Sequence, residues 1–169
     1  MEKPYCILFA GVVGSSKTPI AHVLSCAFGL PILNKDAIRT EVVEDLRGES
    51  EAEAARRVER RLHKMLATQQ SFILDASVDR TWNQVSVELT EAGYAWFVIS
   101  LDWSIELLSE LLIKKGYNET YNRLNDLQAE HQRFLNEHGG IVGVHLTDPD
   151  FSERLVNTET AVSRWLKNN

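Results

Sequence analysis

Residues 11–18 read GVVGSSKT. Directly before them, YCILFA at 5–10 is a short apolar run followed at once by a glycine, as a strand buried on both faces of a parallel sheet looks. Directly after, residues 17–28 carry Ile20, Ala21, Val23, Leu24 and Ala27 at the spacing of a helix that packs one side against that strand's sheet. A buried strand, a turn of small residues and an amphipathic helix therefore follow one another without a spacer. The rest of the chain is read outward from this unit.

Apolar runs recur at 71–75 (SFILD), 95–101 (AWFVISL) and 141–146 (IVGVHL), with a weaker PIL at 31–33 before the charged NKDAIR. Helical patterns lie between and after them. Ala55, Val58, Leu62, Met65 and Leu66 face one way in 51–69, and Ile105, Leu107, Leu108, Leu111 and Leu112 do so in 104–114. In 120–137 the set is Leu124, Leu127, His131 and Phe134, and 152–167 carries Leu155, Val162, Trp165 and Leu166. Alternating strands and helices predict a three-layer, doubly wound α/β fold with a mainly parallel five-stranded sheet. The chain of 169 residues has no repeat, low-complexity tract or linker, so residues 1–169 are read as one domain.

The opening stretch nearly matches the phosphate-binding pattern G-x-x-x-x-G-K-[ST]. Gly11, Lys17 and Thr18 fall in register, and Ser16 stands where the second glycine belongs. Its place between a strand and a helix is the context this motif requires; a glycine-containing turn of another α/β protein is the alternative. The backbone N–H groups of Gly14, Ser15, Ser16, Lys17 and Thr18 would converge on a phosphate at the positive end of the helix. Lys17 would add a charge toward the β- and γ-phosphates, and Thr18 a hydroxyl toward Mg²⁺. Two residues weaken the loop. If residue 16 needs a positive φ, a serine there costs about 1–3 kcal/mol of strain. Pro19 suits a first helical turn but has no N–H for the α-phosphate, a bond worth about 1.5–3 kcal/mol. The reading is a phosphate loop with a handicap.

Taken together, GVVGSSKT, NKDAIR at 34–39 and the strand ending in Asp at SFILDAS resemble the small P-loop kinase superfamily. The resemblance is to the group of polynucleotide 5′-hydroxyl kinases, zeta toxins and chloramphenicol phosphotransferase, and shikimate and gluconate kinases have a similar layout. It covers roughly residues 4–80, and beyond them only the order of elements. The resemblance implies a P-loop NTPase fold binding ATP and Mg²⁺. It gives Asp36 the part of general base toward an acceptor hydroxyl, and Arg39 that of a clamp on substrate. The alternative for Asp36 is the cap of a helix beginning at Ala37. Asp75 resembles the Mg²⁺-associated Asp of such proteins, against a strand-end Asp that stabilises a turn. Arg80 resembles arginines that reach substrate or phosphate, against a solvated surface arginine. The implied lid, around 113–137, departs from the pattern: its candidates are Lys114, Lys115 and Arg123, and lysine lacks arginine's planar fork.

Composition bounds the partners. A net charge of -6 argues against a surface that wraps long nucleic acid. The dense basic stretch Arg56, Arg57, Arg60, Arg61 and Lys64 keeps a nucleic-acid 5′-hydroxyl among the acceptors, although Glu53 and Glu59 interleave it and a solvated helix face is expected. His131 and His138 lack a third ligand at metal spacing and are read as structural. Cys6 and Cys26 sit in apolar segments as reduced core thiols. The apolar stretch at 5–14 is too short to span a bilayer, so a cytoplasmic protein without membrane partners is expected. The expected function is transfer of the γ-phosphoryl group of ATP to a hydroxyl of a small-molecule or nucleotide-like acceptor. The alternative is a nucleotide-binding regulatory or partner module with weak or no kinase activity. Neither the acceptor nor the oligomeric state is encoded in these motifs.

Overall fold

A computed structural model describes residues 3–168, so the outermost positions of the expected domain lie outside the described residues. The elements are β1 (Tyr5–Ala10), α1 (Lys17–Phe28), β2 (Ile32–Asn34), α2 (Lys35–Leu46), α3 (Glu51–Ala67), β3 (Phe72–Ser77), α4 (Trp82–Glu91), β4 (Ala95–Leu101), α5 (Ile105–Lys115), α6 (Asn118–Asn122), α7 (Leu124–His138), β5 (Val142–Leu146) and α8 (Arg154–Lys167). The sheet runs β2-β3-β1-β4-β5 with every neighbouring pair parallel. This is the doubly wound α/β fold expected from the alternation of runs.

β1 is central, which explains its unbroken apolar sequence. Successive side chains of a strand point to opposite faces. Ile7 and Phe9 join Ile20, Leu24, Leu108, Leu112 and Val162 on one face, while Cys6, Leu8 and Ala10 join Leu33, Ile38, Phe72, Trp82 and Phe134 on the other. From β1 the chain order runs outward in both directions, through β3 to β2 and through β4 to β5. That reversal opens a crevice beyond the carboxyl ends of the strands, where open α/β sheets hold ligands.

Some expectations needed correction. The helix expected over 120–137 divides into α6 and α7, with Arg123 between them at φ -110 and ψ 11. α4 was not anticipated, because WNQVSVELTE alternates polar and apolar residues as much as it repeats at helical spacing. β5 is an edge strand and half exposed rather than buried on both faces. Cys6 is buried as expected, but Cys26 is exposed on α1. Among the described residues no helix is long and apolar enough to cross a membrane.

Candidate functional site

The loop between β1 and α1 is set by backbone conformations that side chains resist. Gly11 adopts φ 139, and a Cβ there would come 2.8 Å from the carbonyl oxygen of Leu101. Gly14 adopts φ 83, and a Cβ would come 2.5 Å from Leu112 Cδ2. Ser16 adopts φ 71 and ψ 34, so the position that the motif reserves for glycine does require the left-handed region, and serine is strained there. Ser15 is fully buried beneath the loop, where its carbonyl accepts a hydrogen bond from Trp103 Nε1 at 2.8 Å. The Ser15 N–H is engaged by Val12 O at 3.2 Å. Among the described residues, the N–H groups of Gly14, Ser16, Lys17 and Thr18 donate to no protein acceptor.

The Lys17 ammonium folds back on this loop. Its Nζ donates to Val12 O at 2.6 Å, Gly11 O at 3.1 Å and Ser15 Oγ at 3.1 Å. Enclosure lowers its pKa to about 8, while the carboxylates of Asp79, Asp75 and Asp36 oppose the shift and the nearby Lys115 charge adds to it. Part of the side chain remains open to solvent. Lys115, at the end of α5, also reaches the loop, donating to Gly14 O at 2.6 Å.

The loop forms one wall of a cleft of about 400 Å³. Gly11, Gly14, Ser16, Lys17, Thr18, Asp36, Arg39, Asp75, Arg80 and Lys115 all line it, and so does Pro19. The candidates that it does not reach are Ser15, Lys114 and Arg123, the last two exposed on the surface. α2 begins at Lys35 rather than Ala37, and its cap is Asn34, whose Oδ1 accepts from Ala37 N–H at 2.7 Å. Asp36 is therefore not the cap. Its carboxylate is 84% exposed and holds Arg39 Nη1 at 2.7 Å, while Arg39 Nε pairs with Glu51 at 3.1 Å. Asn34 serves two neighbours, because its Nδ2 donates to Asp75 Oδ2 at 2.6 Å across the β2–β3 pairing. Arg80 turns to Glu130 on α7, at 2.6 Å.

The motif reading missed Asp79. Both of its oxygens accept the Gly11 N–H, at 3.2 Å each, and it is the largest source of negative potential at Lys17. Behind it, His131 Nδ1 lies 3.2 Å from Asp79 Oδ2, and His131 Nε2 lies 3.4 Å from the Ser100 hydroxyl. His131 is fully buried and connects the loop to α7. Only the combination of an acid in DASVDR with an isolated histidine on an apolar helix face signalled this, and nothing in the sequence joins two residues 52 positions apart. His138 packs at a tilt against Trp82 and Phe134, as a structural residue would.

No family model matches the sequence, and no curated protein matches it. Solved structures do. A protein of Chloroflexus aurantiacus assigned as a kinase superposes with a TM-score of 0.68 at 22% identity, over 99% of this chain and 98% of that one. Shikimate kinase of Acinetobacter baumannii, solved with shikimate, gives a TM-score of 0.63 at 16% identity, over 98% and 94%. APS kinase of Mycobacterium tuberculosis, solved with AMPPNP and APS, gives 0.59 at 17% identity, over 96% and 99%. The chain has the fold of the P-loop kinases. In that fold the GVVGSSKT loop occupies the crevice at the sheet's reversal, where the geometry above places it.

Two outcomes follow from the loop's conformation and charge. Ser16→Gly relieves the left-handed serine, and urea unfolding should show a gain of about 1 kcal/mol. Lys17 titrates near 8 in the folded chain against 10.5 unfolded. Between those values the unfolded chain binds more protons, so this group makes stability rise with pH. Lys17→Met should remove that rise, which is read as the difference between parent and variant unfolding curves from pH 8 to 10.5. A difference that stays flat across the window would contradict the shift.

Proposed function

We propose that this protein is an ATP-dependent phosphotransferase that moves the γ-phosphoryl group to a hydroxyl of a small-molecule acceptor. One observation carries the reading: a single cleft has the loop's unengaged amides and Lys17 on one wall and the exposed Asp36–Arg39 pair on another. Because Asn34 caps α2, the Asp36 carboxylate is not required as the cap and stays open to the cleft. Similar proteins of this fold are kinases crystallised with shikimate and with APS plus a nucleotide analogue, which favours a small acceptor.

In this reading the free N–H groups of Gly14, Ser16, Lys17 and Thr18 hold the triphosphate, and Lys17 exchanges its contacts on Gly11 O and Val12 O for phosphate oxygens. Arg39 orients the acceptor and Asp36 takes the hydroxyl proton. Bound ATP supplies the phosphoryl group: the acceptor oxygen bonds to the γ-phosphorus, the bridging P–O bond breaks, and ADP leaves. Thr18 and Asp75 would hold Mg²⁺. The fit is sound, since Asp75 lines the cleft and, among the described residues, only its Oδ2 accepts a hydrogen bond, from Asn34. Such an ion would be held largely by phosphate and water, with these two side chains completing the shell. The segment 113–137 forms the lid side of a single domain, with Lys115 as its contribution to the cleft and Lys114 and Arg123 as the residues that lid closure would have to bring in.

A second reading, a nucleotide-binding module with little transfer activity, is favoured by the left-handed Ser16 and by Pro19 on the cleft wall. The two readings separate on Asp36→Asn. In the first, transfer falls by about 10²–10⁴-fold while nucleotide affinity is kept. Activity measured with a transferable acceptor should show this, and a loss under fivefold would remove Asp36 from the chemistry. Pro19→Ser restores a first-turn amide and should tighten ATP binding about tenfold, for a regained bond of about 1.4 kcal/mol. Calorimetric titration reads this directly, and unchanged affinity would mean that the α-phosphate does not need the amide.

A further inference from the structure

A second hollow, of about 380 Å³, opens beside the nucleotide cleft and shares Lys35, Arg39 and Thr81 with it. Its size is that of a small-molecule pocket. One wall is a single stripe of α3, consisting of Glu51, Ala54, Ala55, Val58, Glu59 and Leu62 at i, i+3, i+4, i+7, i+8 and i+11. The facing wall is Thr81, which precedes α4, followed by Gln84, Val85 and Glu88 on one stripe of that helix, and Leu74 of β3 also lines it. Both helices start at the shared mouth, where Glu51 meets Arg39. Their later turns therefore lie progressively farther from the nucleotide cleft.

Charge along this hollow is ordered. At the mouth stand Lys35 and Arg39, and Arg39 is already paired with Asp36 and Glu51. The middle is apolar, formed by Ala54, Val58, Leu74 and Val85. At the far end Glu59 and Glu88 have no cationic partner among the described residues, and Glu88 holds only the Gln84 amide, at 2.8 Å. The nearby arginines of α3 do not supply one. Arg57 is committed to Glu41, Asp45 and Glu53, Arg61 to Glu41, and Arg56 to Glu53, while Arg60, next to Glu59 in sequence, makes no ion pair among the described residues. A small anion would meet two unpaired carboxylates at this end, whereas a cation would find them free.

We propose that this hollow is the acceptor subsite and that it takes an amino alcohol: a hydroxyl at the mouth, an apolar body along Ala54, Val58 and Val85, and a protonated amine between Glu59 and Glu88. At 1.5 Å per residue, the seven residues from Thr81 to Glu88 set the hydroxyl and the amine about 10 Å apart. The proposal rests on the kinase reading for the role of the hydroxyl, and stands apart from it for the binding of the amine.

The test uses three probes of equal length on the full chain: 8-amino-1-octanol, 1,8-octanediol and 8-hydroxyoctanoate. Ligand-observed NMR titrations give their affinities, with AMPPNP affinity measured separately by calorimetry. The amino alcohol should bind at least tenfold more tightly than the diol, and the hydroxy acid least. Glu59→Gln with Glu88→Gln should bring the amino alcohol to the level of the diol and leave AMPPNP affinity unchanged. Ala55→Trp, which fills the hollow from an exposed position, should abolish amino alcohol binding and spare AMPPNP. If the diol or the hydroxy acid binds as well as the amino alcohol, if none binds, or if the double variant binds the amino alcohol as the parent does, the proposal is overturned. Failure of AMPPNP to bind while the glutamate-dependent affinity survives would sink the kinase reading and leave the subsite standing.

Discussion

The ammonium of Lys17 is the group around which this site is arranged. A lysine enclosed by its own loop loses hydration, and it stays bound there because Gly11 O, Val12 O and Ser15 Oγ accept its protons. Three carboxylates, Asp79, Asp75 and Asp36, supply the surrounding negative potential. Each of those acids sits where it does for a separate reason. Asp75 lies in β3 and is held by Asn34, Asp79 is held by the Gly11 amide and His131, and Asp36 is in the first turn of α2. A polyphosphate entering the cleft would bring its own negative charge to the same ammonium. The oxygens that now hold Lys17 are thus weak competitors, neutral carbonyls and a hydroxyl, set against charged ones.

The loop is also tied to elements far along the chain. Trp103, just beyond β4, holds Ser15 O from beneath. His131 on α7 reaches Gly11 through Asp79, and Lys115 at the end of α5 reaches Gly14 O. Gly11, Gly14 and Ser15 of the turn are therefore held by residues between 79 and 131. Any shift of α5 or α7 acts on the loop through these bonds. The reverse also holds, since withdrawing Lys115 from Gly14 O toward phosphate would move the end of α5.

Much of this was legible in the sequence. β1, α1 and β4 fall where their apolar patterns place them: β1 is an unbroken apolar run, β4 carries only Ser100 within one, and α1 keeps its apolar residues Ile20, Ala21 and Leu24 on one face. The handicap at Ser16 was legible as a condition, and φ 71 meets that condition. The site residues in GVVGSSKT, NKDAIR and SFILDAS come to one cleft because all three segments end or follow neighbouring parallel strands. What escaped reading depends on distance along the chain. The sequence offered Asp36 as base or cap, with the base preferred; the cap is Asn34, whose Oδ1 takes the Ala37 N–H while its Nδ2 holds Asp75 on the adjacent strand. The pairing of Asp79 with His131 and the break at Arg123 are likewise products of packing, with no local pattern to announce them.

The basic run of α3 illustrates how packing assigns meaning to composition. Five cations within nine residues read as a face for an anionic partner or for solvent. α2 presents Glu41 and Asp45 to that face, and with Glu53 they engage Arg56, Arg57 and Arg61. The exposed pairs among these contribute only about 0–1 kcal/mol each, and Arg57, whose side chain is only 14% exposed, is the one that fixes how α3 sits on α2. With Arg57 and Arg61 turned toward α2, another stripe of α3 is left to face α4. That stripe carries no arginine or lysine: it is alanine, valine, leucine and glutamate. The same helix thus sets Arg57 and Arg61 against one neighbour and presents apolar surface and glutamates on the stripe that lines the hollow. An acceptor is selected at this site as much by which charges are already neutralised as by which residues are present.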